Sequence, residues 1–138
     1  MSKKVVIYVN KNSLCTYLNE RIQYCLHYAK KKNFIVQKIY TDESNDPMPS
    51  NRSGYTQLLK ECSSSEIDAV IIPDFSKLSS NRIEVAICSY QLKNMGIDLI
   101  SLNELPETLL VLTLMEDTIK YYSETFLKNT DTHSKEVK

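Results

Sequence analysis

The stretch that most constrains this chain is 66–81, EIDAVIIPDFSKLSSN. Asp68-Ala69-Val70-Ile71-Ile72 is a short apolar run rich in β-branched residues. Flanked by polar residues, such a run predicts a strand buried on both faces, as in a parallel sheet. Pro73 cannot donate to a ladder, so the strand ends there. Asp74 to Ser80 then reads as a polar loop. Ser79, Ser80 and Asn81 are good N-cap residues, and Glu84 follows Asn81 at capping-box spacing, so a helix starts here. The carboxyl end of a buried strand, next to a helix N-terminus, is where an open α/β sheet places its chemistry.

The rest of the chain supplies partners for that strand. Lys3–Val9 predicts a first strand and Asn10–Ser13 a loop. Leu18, Ile22, Cys25, Leu26 and Ala29 recur at helical spacing, predicting a helix over about Cys15–Lys32. Lys30, Lys31 and Lys32 crowd its last turn, where cations suit the helix dipole, so that run calls for no nucleic acid. Phe34–Tyr40 predicts a second strand, and Thr41–Ser50, with two prolines, a mobile loop. Tyr55, Leu58, Leu59 and Cys62 mark a short helix. Beyond Asn81, one helical stripe is Ile83, Ala86, Ile87 and Tyr90; another is Val85, Cys88, Leu92 and Met95. Gly96 is the expected C-cap. Ile97–Leu102 predicts a fourth strand, and Pro106 opens a long helix over Glu107–Lys128. The order βαβαβαβα predicts an α/β fold: a three-layer sandwich on a mainly parallel sheet of four to five strands. Residues 1–105 form the α/β domain, 106–129 its long C-terminal helix, and 130–138 a frayed tail.

Composition narrows function by exclusion. With 138 residues the chain is one domain, and 17 Lys and Arg balance 17 Asp and Glu. A DNA-binding domain usually shows a basic excess, which is absent from the total. No leading segment has signal-peptide pattern and no apolar run spans a bilayer, so a cytoplasmic protein away from membranes is expected. Cys15, Cys25, Cys62 and Cys88 lack C-x-x-C spacing and read as reduced thiols, the last three buried in helices. His27 and His133 are isolated surface residues without metal-ligand spacing. No metal and no cofactor is expected.

Order and spacing together resemble the catalytic domain of the serine recombinases, the resolvases and DNA invertases. The resemblance covers about Val5–Lys128. The family's first strand ends Y-x-R-V-S, where this chain has Tyr8-Val9-Asn10-Lys11-Asn12. Its first helix carries L-x-x-Q-x-x-x-C, matched by Leu18, Arg21 and Cys25. Y-x-D after the second strand is Tyr40 and Asp42. D-R-P-G-L is Asn51-Arg52-Ser53-Gly54-Tyr55, continued by Gln57-Leu58-Leu59. L-D-R-L-S-R-N is Phe75-Ser76-Lys77-Leu78-Ser79-Ser80-Asn81. Leu109–Phe126 resembles the long helix through which subunits dimerise.

The resemblance implies DNA strand exchange through a phosphoserine link, with arginine forks stabilising the phosphate in the transition state. The matched positions here hold Asn10, Asn12, Arg52, Ser76, Lys77 and Ser80. Asn12 stands at the nucleophile's place and its amide cannot form that link. Ser13 lies one residue late, where the hydroxyl turns away and lacks its arginines; its plainer role is a loop or cap serine. Arg52 alone remains an arginine in place. Arg52 and Lys77 could contact a phosphate or another anion, or be ordinary surface charges.

Three readings follow. The first is a catalytically inactive homologue acting as a dimerising interaction or regulatory module, of a phage or mobile element, with a protein partner such as a recombinase. The second is an active or accessory recombinase, with Ser13 or a partner subunit supplying the chemistry. The third is a small anion-binding α/β domain reusing the old pocket. Loss of several catalytic groups together favours the first. Binding to DNA alone is expected to be weak or absent, because the charge is balanced and Thr130–Lys138 has no helix-turn-helix pattern. The 107–128 helix is more apolar than one sheet face can cover, which predicts a homodimer contact through Leu110, Leu114, Ile119, Tyr122 and Phe126.

Overall fold

The computed structural model describes residues 2–11 and 17–137, with α4 side chains placed through residue 124. Nine of its elements set the frame: β1 (Lys4–Asn10), α1 (Leu18–Lys31), β2 (Ile35–Asp42), a 3-10 turn (Pro49–Asn51), α2 (Ser53–Ser64), β3 (Ala69–Ile72), a second 3-10 turn (Phe75–Lys77), α3 (Arg82–Asn94) and β4 (Asp98–Ser101). The tenth, α4, runs Pro106–Val137, past the expected end at Lys128 and through the stretch expected to fray. The sheet has four strands, all parallel, in the order β2-β1-β3-β4. The order reverses between β1 and β3, so their carboxyl ends form the switch point at which such sheets open a crevice.

Alternation along β1 explains the layers. Val5, Ile7 and Val9 point to the α1 side, where Cys25 and Ala29 meet them with Ala69 and Ile71. Val6 and Tyr8 point the other way, into a larger core with Leu58, Cys62, Val70, Ile72, Val85, Cys88 and Leu92 from β3, α2 and α3. A strand covered on both faces must be apolar at every position, which is why β3 reads as an unbroken run. β1 and β2 slip register by one residue between Val5 and Val6, with Val5 opposite Val36 and Val6 opposite Lys38. Gln37 is the extra residue of this bulge.

Of the two stripes on α3, the buried one holds Val85, Cys88 and Leu92, joined by Ala86 and Ser89, while Ile83 of the other is exposed. Asn81 caps α3 as expected, its side chain accepting from Ile83 N at 2.9 Å. The reciprocal half of the expected capping box is supplied differently: Asn81 N donates to Ser79 Oγ at 3.0 Å. At the other end Gly96, at φ 76°, takes the left-handed conformation that ends the helix. Its N–H reaches Lys93 O at 3.0 Å and Ile97 N reaches Leu92 O at 2.9 Å, which seats buried Ile97 against buried Leu92. Cys25, Cys62 and Cys88 are buried free thiols; burial pushes Cys25 up to about 12 and Cys62 to about 11. Cys15 lies outside the described residues.

α4 rests on α3 along a narrow line. Leu112 packs against the larger core, and Glu116, almost fully buried, accepts from the half-exposed Lys93 of α3. Met115 and Ile119 are half-buried on the same line. No helix among the described residues is long and apolar enough to cross a membrane. Ile71 is fully buried at the middle of β3, between β1 and β4. Ile71→Ala is expected to cost about 2–5 kcal/mol in urea unfolding, because its site cannot collapse to fill the void.

Candidate active site and the loops around it

The carboxyl ends of β1 and β2 are organised by one carboxylate. Asp42, the last residue of β2, accepts from Gly54 N at 2.8 Å and Tyr55 N at 2.9 Å. These are two of the first amides of α2, whose own N-cap residue, Arg52, makes no side-chain cap bond. A carboxylate there satisfies orphan donors and suits the helix dipole. The same Asp42 carboxylate accepts from the Tyr8 hydroxyl at 2.8 Å. The approach demands glycine at position 54: a Cβ there would lie 2.6 Å from Thr41 O and 2.7 Å from both Asp42 carboxylate oxygens. Tyr8 is fully buried, with Tyr55 edge-on at 5.4 Å, and burial holds its hydroxyl well above the usual phenol range.

Arg52 completes the network from above. It is only 4% exposed, which rules out the ordinary surface charge entertained from sequence. Its Nη1 donates to the Tyr8 hydroxyl at 3.2 Å and to the carbonyl of Leu78. Its Nη2 donates to Asp46 O at 2.9 Å. Nε is buried without a partner among the described residues. One guanidinium therefore joins β1, the loop after β2 and the loop after β3. Ser79, also buried, repeats that join by donating to the carbonyl of Pro47.

Asn10 is the second inward residue. It is 2% exposed, and its amide makes both bonds of a backbone-like pair: Nδ2 donates to Ser44 O at 2.9 Å and Oδ1 accepts from Ser44 N at 3.1 Å. The Thr41–Ser50 stretch, expected to be a mobile loop, instead starts within β2 and is held at Ser44 by Asn10, at Asp46 by Arg52 and at Pro47 by Ser79. Within it Asp46 accepts from Met48 N and Asn51 Nδ2, each at 2.9 Å, and the Met48 bond foremost keeps its carboxyl below the ordinary range.

The other expected site residues lie on the 74–80 loop. Ser76 is exposed and donates to Asp74; Ser80 is exposed; Lys77 is half-buried. Asn12 and Ser13 lie outside the described residues. The loop faces the start of α4 across a cleft of about 520 Å³ whose lining includes Ser76, Lys77 and Ser80 with Arg21, Arg82 and Glu104. Burial raises the Glu104 carboxyl, which accepts from Phe75 N at 3.3 Å. Sequence reading matched Tyr8 and Asp42 to family motifs without giving either a role in the site, and it missed Glu104. The signal for Tyr8 was a phenol in an otherwise aliphatic strand, and for Glu104 a polar Asn103-Glu104 step at the carboxyl end of a strand. Among the described residues, no group of three His, Cys, Asp or Glu could hold a metal.

Arg52→Lys keeps the charge but not the fork. It is expected to destabilise the fold by at least about 1.5 kcal/mol in urea, since charged hydrogen bonds contribute about 1.5–3 kcal/mol each. A guanidinium serving only as an anion receptor would leave stability unchanged.

Residues 11–137 match the family model described as "Resolvase, N terminal domain". Solved structures agree in fold. The N-terminal catalytic domain of the TP901-1 integrase is 23% identical with a TM-score of 0.72, over 89% of this chain and 98% of that one. The C-terminal catalytic domain of ISC1926 TnpA, an IS607-like serine recombinase, is 21% identical at 0.64, over 88% and 82%. A resolvase family site-specific recombinase from Streptococcus pneumoniae is 13% identical at 0.66, over 96% of both chains. No curated protein matches. With nearly the whole chain matched by the family model and the sheet order and long helix in place, this protein belongs to the resolvase N-terminal domain family and has the fold of a serine recombinase catalytic domain.

Proposed function

We propose that this protein is a non-catalytic member of its family that works as a dimerising, protein-binding regulatory module. One observation carries the reading. Arg52 and Asn10, which stand where the resemblance puts catalytic arginines, are turned into the fold and bonded to loop backbone. A guanidinium committed to two carbonyls and a hydroxyl is poorly placed to follow charge developing on a phosphate. Asn12 at the nucleophile's place, and Ser76 and Ser80 in place of an aspartate and an arginine, support the same reading from sequence. The neighbours named above include integrase and recombinase catalytic domains, which makes a partner of that class, on a phage or mobile element, the natural one for a silent relative.

The contact we assign to α4. Leu110 and Leu114 are each more than half exposed, and Tyr121 lies on the same helical line. Tyr122, expected from sequence, flanks that line and is also exposed. Ile119 instead sits half-buried on the line of Leu112 and Glu116, and the side chain of Phe126 lies outside the described residues. Large apolar side chains buried on association each contribute roughly 1.5–3 kcal/mol, and a twofold pairing is the commonest way to cover such a face.

Two outcomes are expected. Incubation with supercoiled DNA followed by denaturing electrophoresis yields no covalent protein–DNA adduct; an adduct that Ser13→Ala abolishes would establish the active alternative. In sedimentation equilibrium at low micromolar concentration the protein is a dimer, and Leu114→Asp gives a folded monomer with native far-UV dichroism. A wild-type monomer would refute the α4 contact.

A further inference from the structure

We propose that Lys93 is a positioning residue: its ion pair with Glu116 selects the rotational setting of α4 on α3. Two lines of large apolar side chains run along α4. One is Leu112, Met115 and Ile119, which lies with Glu116 on the side turned to α3. The other is Leu110, Leu114 and Tyr121, each more than half exposed. Both lines carry large apolar residues at helical spacing, so burial of apolar area does not single out the first. The seated line also takes a carboxylate out of water, which is costly unless the charge is paired.

Lys93 supplies that pairing. It stands in the last turn of α3 and donates to the Glu116 carboxylate. Glu116 is only 6% exposed, while the lysine is half-exposed and is the one cation paired with it among the described residues. A roll of α4 that seats Leu110 and Leu114 would carry Glu116 out to water, where its charge needs no partner. With Lys93 in place the observed setting holds; without it, Glu116 would stay buried and unpaired, and the rolled or detached helix is favoured. A single polar or charged group buried between helices fixes register in the same way, by penalising every setting in which it lacks its partner.

The pair therefore decides which face of α4 is left for a partner. That consequence rests on the α4 contact proposed above; the seating itself does not, because Leu112 packs on the core of its own chain.

Hydroxyl-radical footprinting of the full chain tests the proposal, with oxidation of Leu112 and Ile119 read by mass spectrometry. In the wild type both react slowly relative to the exposed Leu105. Lys93→Glu sets a second negative charge against Glu116 and is expected to abolish that protection. Lys93→Glu combined with Glu116→Lys restores a pair in the opposite sense and returns the protection. Lys93→Arg, which keeps a cation, leaves it intact. If Lys93→Glu fails to fold by far-UV dichroism, Lys93→Met is read in its place with the same expected loss, since it keeps the apolar stem and removes only the charge. Protection unchanged in Lys93→Glu or Lys93→Met would overturn the proposal. So would a double variant as exposed as Lys93→Glu, or loss of protection in Lys93→Arg. Sedimentation of the same samples separates the two claims. A wild-type monomer whose protection is lost in Lys93→Glu keeps the seating and refutes the dimer; a dimer whose protection is unmoved by Lys93→Glu does the reverse.

Discussion

The carboxyl edge of the sheet depends on the Asp42 carboxylate. It ends β2, caps α2 through two amides and receives the Tyr8 hydroxyl, so it ties the central strand to the helix that follows its neighbour. Tyr8 in turn accepts from Arg52, and Arg52 holds the loops after β2 and β3 together. Each link removes a buried polar group from the unsatisfied state, where it would cost about 1–3 kcal/mol. The geometry works because position 54 has no Cβ. Gly54 and the polar loop before it thus have one cause, the close approach of a helix N-terminus to a strand end.

Most of the frame was legible in the sequence because it rests on local signals. The unbroken apolar run at 69–72, the Asn81 cap and the Gly96 terminator each have a mechanism that acts within a few residues. The boundaries that moved did so for tertiary reasons. β1 and β2 run on to Asn10 and Asp42 because those residues find partners across the sheet: Lys11 N bonds Asp42 O and the Asn10 amide bonds Ser44. On α3, two apolar stripes compete in sequence, and only packing against β3 and α4 decides that Val85, Cys88 and Leu92 face inward.

The site was legible by position but not by role. The family resemblance grouped Asn10, Arg52 and the 74–80 loop, and the fold brings them to one end of the sheet. Nothing local told that Arg52 would be consumed by carbonyls of Asp46 and Leu78, since both acceptors are backbone atoms with no residue signature. The cleft toward α4 was invisible for the same reason: Arg21, Lys77 and Glu104 come from three distant segments.

The central claim is that Arg52 belongs to the fold and not to an anion site. Nitrogen-15 spectroscopy of the arginine side chains reads this directly. The account predicts Arg52 guanidinium signals protected from solvent exchange and unmoved by added inorganic phosphate, up to concentrations that shift the exposed Arg82. Fast-exchanging Arg52 signals, or a saturable shift with phosphate, would contradict it and return Arg52 to the chemistry of its family.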